Sequence, residues 1–158
     1  MSTIILYPEI KAPAERCYDL SLSVDLHKIS TGKTGEHIVD GVKEGIMKLS
    51  ETITWRAKHF GVWQKLTTQI TKTERPFLFE DVMLKGAFKS MRHEHHFKEE
   101  NGKTTMKDVF DFESPLWILG KIANVLFLES YMTKFLKERN AVIKEFAESD
   151  KWKQVLKT

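Results

Sequence analysis

The 158-residue chain predicts an α+β domain. Its expected core is a curved antiparallel sheet of about seven strands wrapped around one long C-terminal helix, with two short helices after strand 1. Three observations predict this. Apolar residues alternate with a period of two from His37 to Glu113. At Ser114-Pro115 the period becomes helical and continues to Phe146. Between the β-rich opening and the alternating region, two short stretches carry helical spacing.

Residues 4–10 form a short β-rich run that Pro13 stops. Pro13 suits the start of a helix, because its missing N–H is one that a first turn leaves unpaired anyway. Ala14, Cys17, Tyr18 and Ser21 then recur at helical spacing to about residue 22. A second helix is predicted over residues 24–29, with Ser23 as its cap. Residues 31–35, Thr-Gly-Lys-Thr-Gly, are a loop without the spacing of a phosphate-binding loop.

In the alternating region, Met47, Leu49, Glu51, Ile53, Trp55, Ala57 and His59 share one strand face. Ser50, Thr52, Thr54, Arg56 and Lys58 share the wet one. After Phe60-Gly61, the positions Val62, Gln64, Leu66, Thr68 and Ile70 continue the core face. Phe79, Asp81 and Met83 follow Pro76 as inward candidates. Asn101-Gly102 is a hairpin signal joining residues 91–97 to 104–112. In the second of these, Met106, Asp108, Phe110 and Phe112 share a face. From Pro115 a helix of about 30 residues, some 45 Å long, would cross the whole sheet. Its lysines, together with Arg139, read as a solvated face. Residues 1–150 are taken as one domain and 151–158 as a short tail.

Composition narrows the function classes. Basic residues exceed acidic ones by 25 to 22, a net charge of +3, too small to indicate nucleic-acid binding. The single cysteine, Cys17, allows no intrachain disulfide and reads as a small core residue. The opening residues lack the basic and apolar regions of a signal peptide. The most apolar run, residues 116–128, is too short for a stable span of a bilayer. A cytoplasmic protein is expected.

Several segments resemble one known superfamily: SVDLHKIS (23–30), ETITWRAKHFG (51–61), KGAFKSMRHEHHF (85–97), GKTTMKDVFDFESPLWILGKIAN (102–124) and FLESYMTKFLKERN (127–140). They resemble the START-like, helix-grip superfamily, also called SRPBCC or the polyketide cyclase/dehydrase group. The similarity is to a bacterial branch of it whose labels, such as cell division protein or cyclase, define no substrate. It implies a helix gripped by the sheet over an internal cleft. It fixes no function, because the superfamily includes lipid and hormone carriers, cyclases, ring-hydroxylase domains and protein-binding modules. Trp117 and Ile118 depart from the Pro-Leu-Gly type of turn that the resemblance implies at the helix entry.

The stretch MRHEHHF, residues 91–97, holds three of the six histidines. Met91 and Phe97 share parity with His93 and His95, so both histidines should face the cleft, with His96 on the surface. The same counting turns Glu51, Trp55, His59, Asp81 and Asp108 inward. His59, beside a turn, belongs at the rim, and His27 is expected to brace a loop. The candidate ligand-binding set is therefore Glu51, Trp55, His59, Asp81, His93, His95 and Asp108. A register error of one residue would turn both cleft histidines to solvent. His-x-His with Asp81 or Asp108 could in principle ligate zinc, but without cysteine or H-E-x-x-H support no metal and no organic cofactor are expected. The expected partner is a hydrophobic or amphipathic small molecule. The alternatives are an acid/base enzyme of cyclase, dehydratase or hydrolase type using a His/Asp pair, and a protein-interaction module.

Overall fold

The structure is a computed structural model that describes residues 1–115 and 122–156, with side chains at 122–124 left aside. The opening β-rich run is divided by Tyr7-Pro8 into β1 (Ser2–Leu6) and β2 (Glu9–Ile10), and both pair with the same strand, β8 (Lys103–Glu113). Two helices follow, α1 (Ala14–Leu22) and α2 (Val24–Ser30). Ser23 caps α2 as its residue type predicts, its hydroxyl accepting the Leu26 N–H at 3.1 Å. Pro13 offers α1 no side-chain cap; Glu99, distant in sequence, accepts the Ala14 N–H at 2.6 Å.

The remaining strands are β3 (His37–Gly41), β4 (Thr52–His59), β5 (Val62–Glu74), β6 (Leu78–Lys85) and β7 (Ser90–Glu100). The sheet is antiparallel throughout, in the order β1-β8-β7-β6-β5-β4-β3. It has eight strands against about seven expected, because the first run is split and β3 adds an edge. Register shifts between Ile38 and Asp40, Thr67 and Thr68, and Ile70 and Lys72 mark the bulges that bend such a sheet. Gly41 at φ +85° lies so close to β4 that a Cβ there would stand 2.3 Å from the Thr52 carbonyl oxygen. Asn101 and Gly102, at φ 52° and 75°, make the tight β7–β8 turn.

β4 begins later than its pattern suggests. Residues 49–51 form a turn, with the Glu51 N–H bonded to the Lys48 carbonyl and Ser50 at φ 70°. Leu49 is exposed instead of sharing a core face, and Glu51 turns its carboxylate back to the Lys48 N–H at 2.8 Å. Val62, read as a core position, is likewise exposed at the β4–β5 hairpin tip.

The long helix α3 (Ile122–Ala147) packs on the inner face of the sheet together with α1 and α2. The stretch that follows Ser114-Pro115, including Trp117, Ile118, Leu119 and Lys121, lies outside the described residues. Leu128 and Leu136 join Ile4, Met91, Phe110 and Phe112 in one cluster. Ile143, Phe146 and Ala147 join Ile10, Tyr18, Leu26, Phe79 and Phe97 in a larger one. A short helix α4 (Trp152–Val155) packs Trp152 and Val155 against that larger cluster. Among the described residues no helix is long and apolar enough to cross a membrane.

One sequence expectation fails on α3. Arg139 is not on the solvated face. It is buried and donates from Nη2 to the Ser21 carbonyl at 3.1 Å. The helical count explains this: Arg139 and Asn140 stand three and four residues after Leu136 and four and three before Ile143, inside the apolar stripe.

Candidate functional site

Between the sheet and α3 lies a cavity of about 240 Å³. Ile53, Trp55 and Ala57 of β4 line one side, and Leu128, Met132, Phe135 and Leu136 of α3 line the other. The lining is mainly apolar because alternate β4 residues and one stripe of α3 face each other across it.

At its exposed end, His59 Nδ1 lies 2.6 Å from the Tyr131 hydroxyl, tying the β4–β5 hairpin to α3. Phe60 packs on Tyr131 with ring centroids 4.5 Å apart. Along the β4 side, His27 stacks on Trp55 at 4.2 Å and meets Glu36 through Nε2 at 2.8 Å. His27 thus braces the α2–β3 connection, as its position suggests, and also lines the cavity.

At the deep end the polar residues converge. Asp81, His93, His95 and Arg139 all line this cavity. Asp81 on β6 pairs in register with His93 on β7, and His95 follows on the same face. His93 and His95 are buried, with rings 3.8 Å apart. His95 Nε2 lies 3.4 Å from Asp81 Oδ2, and its Nδ1 lies 2.9 Å from Asp108 Oδ1 but out of hydrogen-bonding line. His93 Nε2 is 3.6 Å from the same Asp108 oxygen. Asp108 is fully buried behind the two histidines and accepts the Asn140 amide at 2.6 Å. Phe79 stacks on the His95 ring at 4.1 Å.

The predicted set is thereby divided. Trp55, His59, Asp81, His93 and His95 line the cavity. Asp108 does not line it and reaches it only through the histidines, and Glu51 is held in the turn before β4. His96, paired with Glu94 at 2.9 Å, is on the outer face. Sequence reasoning missed Arg139 and Asn140, whose position in the α3 stripe was the available signal.

Five buried polar atoms find no hydrogen-bond partner among the described residues: Arg139 Nη1, His93 Nε2, His95 Nδ1, Asp108 Oδ1 and Asn140 Oδ1. Arg139, His93 and His95 line the cavity, whereas Asp108 and Asn140 do not. An unmet buried group costs about 1–3 kcal/mol, so their concentration at one end of a cavity points to function.

Burial, and then the neighbouring His95, hold His93 below the usual imidazole range, against the pull of Asp108 and Asp81. Burial also lowers His59. Burial raises Asp108, but the adjacent histidines outweigh it and leave the carboxyl well below its ordinary range. In Asp81 too, burial is outweighed by His95, His93 and Arg139. All four folded-state values are depressed, so each contributes stability that is present above its unfolded value and lost on acidification. For the histidines that loss begins below about pH 6.5, and for the carboxylates below about pH 4. Urea midpoints should therefore hold steady above about pH 7 and fall toward about pH 5. His93→Gln should flatten much of that fall. A wild-type midpoint unchanged over this interval would contradict the buried neutral imidazole. Cys17 is no competing nucleophile: burial pushes its thiol up to about 11.

No family model matches the chain, and no curated protein does. Solved structures do. A protein of Thermus thermophilus, TTHA0849, superposes with a TM-score of 0.74 at 16% identity, covering 91% of this chain and 95% of its own. A major latex-like protein of Panax ginseng gives 0.66 at 15% identity, with coverage of 94% and 98%. The di-domain ARO/CYC protein StfQ of the steffimycin biosynthetic pathway gives 0.64 at 12% identity, covering 96% of this chain and 46% of that longer one. The chain therefore shares its fold, a curved antiparallel sheet around one long helix, with these proteins.

Proposed function

We propose that the protein binds a compact amphipathic small molecule in the cavity between the sheet and α3. The apolar body of the ligand lies among Trp55, Leu128, Met132 and Phe135. Its polar end, an acceptor such as a carbonyl or carboxylate oxygen, meets Arg139 Nη1 and His93 at the deep end. One observation carries this reading: buried polar nitrogens without hydrogen-bond partners, Arg139 Nη1 and His93 Nε2, belong to residues that line an otherwise mainly apolar cavity. Small-molecule sites combine those features, and the volume of about 240 Å³, somewhat below their usual range of about 300–1,000 Å³, suits a compact ligand.

The dye ANS, an aromatic sulfonate, tests the proposal. It should bind saturably with one site per chain. Met132→Trp should abolish binding by filling the cavity. Arg139→Gln should weaken it about tenfold to a hundredfold, the value of one charge-assisted hydrogen bond. Dye binding indifferent to both substitutions would place the dye on the surface and defeat the proposal.

An acid/base enzyme is the second reading. The neutral His93 beside Asp81 favours it, because a positioned imidazole can move a proton at a bound carbonyl compound. The ARO/CYC neighbour adds support by fold alone. Turnover of a polyketide-like ketone by wild type but not by His93→Ala would move the assignment from carrier to enzyme.

A further inference from the structure

The deep end of the cavity holds a donor set that ligand binding alone does not require. Asp81, His93 and His95 each offer one ligating atom, and the three atoms lie within 4.8 Å of one another. Donors sharing one ion at about 2.1 Å stand no more than about 4.2 Å apart, so small side-chain rotations close the set. Adjacent antiparallel strands fix the arrangement. Asp81 and His93 are direct cross-strand partners, and His95 is the next residue on that face.

Two further observations point to a ligand. His93 is only 6% exposed, yet its Nε2 has no hydrogen-bond partner. His95 stands between two carboxylates, Asp81 at Nε2 and Asp108 at Nδ1. A metal-bound histidine keeps one nitrogen on the ion and gives the proton of the other to a carboxylate behind it; His95 Nδ1 lies 2.9 Å from Asp108 Oδ1, out of hydrogen-bonding line, and a small ring rotation would complete that arrangement. Asn140 anchors that rear carboxylate at 2.6 Å.

We propose that Asp81, His93 and His95 bind one divalent transition-metal ion of the zinc or iron(II) class, with Asp108 positioning His95 from behind. Two imidazoles and one carboxylate suit that class. Magnesium and calcium favour oxygen-rich shells. Three protein ligands leave a coordination position facing the cavity, where the polar end of a bound molecule would meet a Lewis acid. The proposal replaces the expectation of no metal. His-x-His by itself is a weak signal, and only the sheet register adds Asp81. It deepens the small-molecule reading of the same cavity and rests on that reading only for what occupies the open position.

The test uses the full chain, treated with a chelator and then titrated calorimetrically with Zn²⁺ and with Co²⁺, no organic ligand being present. The expected result is one ion per chain with micromolar or tighter affinity. His93→Ala and His95→Ala should each weaken binding by at least about a hundredfold, and Asp108→Asn by about tenfold to a hundredfold. Asp81→Asn, which preserves side-chain shape, should shift the visible absorption of the Co²⁺ complex even if the histidine variants fold poorly. His37→Ala, at an exposed histidine, should change nothing. Binding weaker than about millimolar, or binding unchanged by His93→Ala in folded protein, would overturn the site. The ANS titration reads the cavity separately. Dye binding without Zn²⁺ binding removes the metal alone, and Zn²⁺ binding without dye binding removes the amphipathic ligand alone.

Discussion

Asp108→Ala is expected to destabilise the protein by about 3–5 kcal/mol, the usual consequence of removing one partner from a buried charged network. Asp108 is fully buried and is the common partner of three groups: Asn140 at 2.6 Å, His95 at 2.9 Å and His93 at 3.6 Å. Its removal leaves the Asn140 amide buried without its acceptor, an unmet group of about 1–3 kcal/mol, and takes the buried carboxylate away from the His95 Nδ1 side. The methyl group that replaces the carboxylate recovers little, because the histidine and asparagine edges facing it are polar. Asp108→Asn should lose less, since an amide oxygen can still accept from Asn140. Urea unfolding followed by circular dichroism measures both. A loss below about 1 kcal/mol for the alanine variant would mean that these contacts are not made in the native protein.

Phe79→Ala should cost a similar amount, about 3–5 kcal/mol, by a different physical route. Phe79 is 2% exposed and belongs to the larger apolar cluster. Its ring stacks on His95 at 4.1 Å and meets Tyr18 edge-on at 5.5 Å. Truncation removes apolar surface that was buried and leaves a void where strands β6 and β7 hold the surrounding backbone in place. The ring also supports one face of His95, so its loss should loosen the polar end of the cavity. Phe79→Leu, which keeps more of the volume, should recover much of the stability. Equal losses for alanine and leucine would show that the cost lies in the aromatic stacking and not in the void.

These two residues show how far the amino-acid order reaches. The alternation of apolar and polar residues assigned Phe79, His93, His95 and Asp108 to the inner face, and the structure places all four there. That inference is robust because side chains alternate strictly along a strand, and Met91 and Phe97 fix the parity of β7. The α2 cap at Ser23 and the Asn101-Gly102 turn were equally legible, since each depends on residues within a few positions of one another. Where local rules compete, the pattern misleads. Leu49 and Glu51 have inward parity, but a turn ends the alternation before β4 begins.

By itself, then, the sequence determined the α+β class, the order of the elements and the faces that most strand residues present. Those properties follow from short-range periodicity and turn chemistry. The tertiary structure alone decided what meets across the cavity. Asp81 stands beside His93 because β6 and β7 pair in one register among several that the alternation would allow. Asp108 anchors to Asn140 across 32 positions of chain, and Arg139 bonds the Ser21 carbonyl across 118. No local pattern encodes such separations. They arise when α3 is laid on the sheet and the buried polar groups of both must find partners away from water.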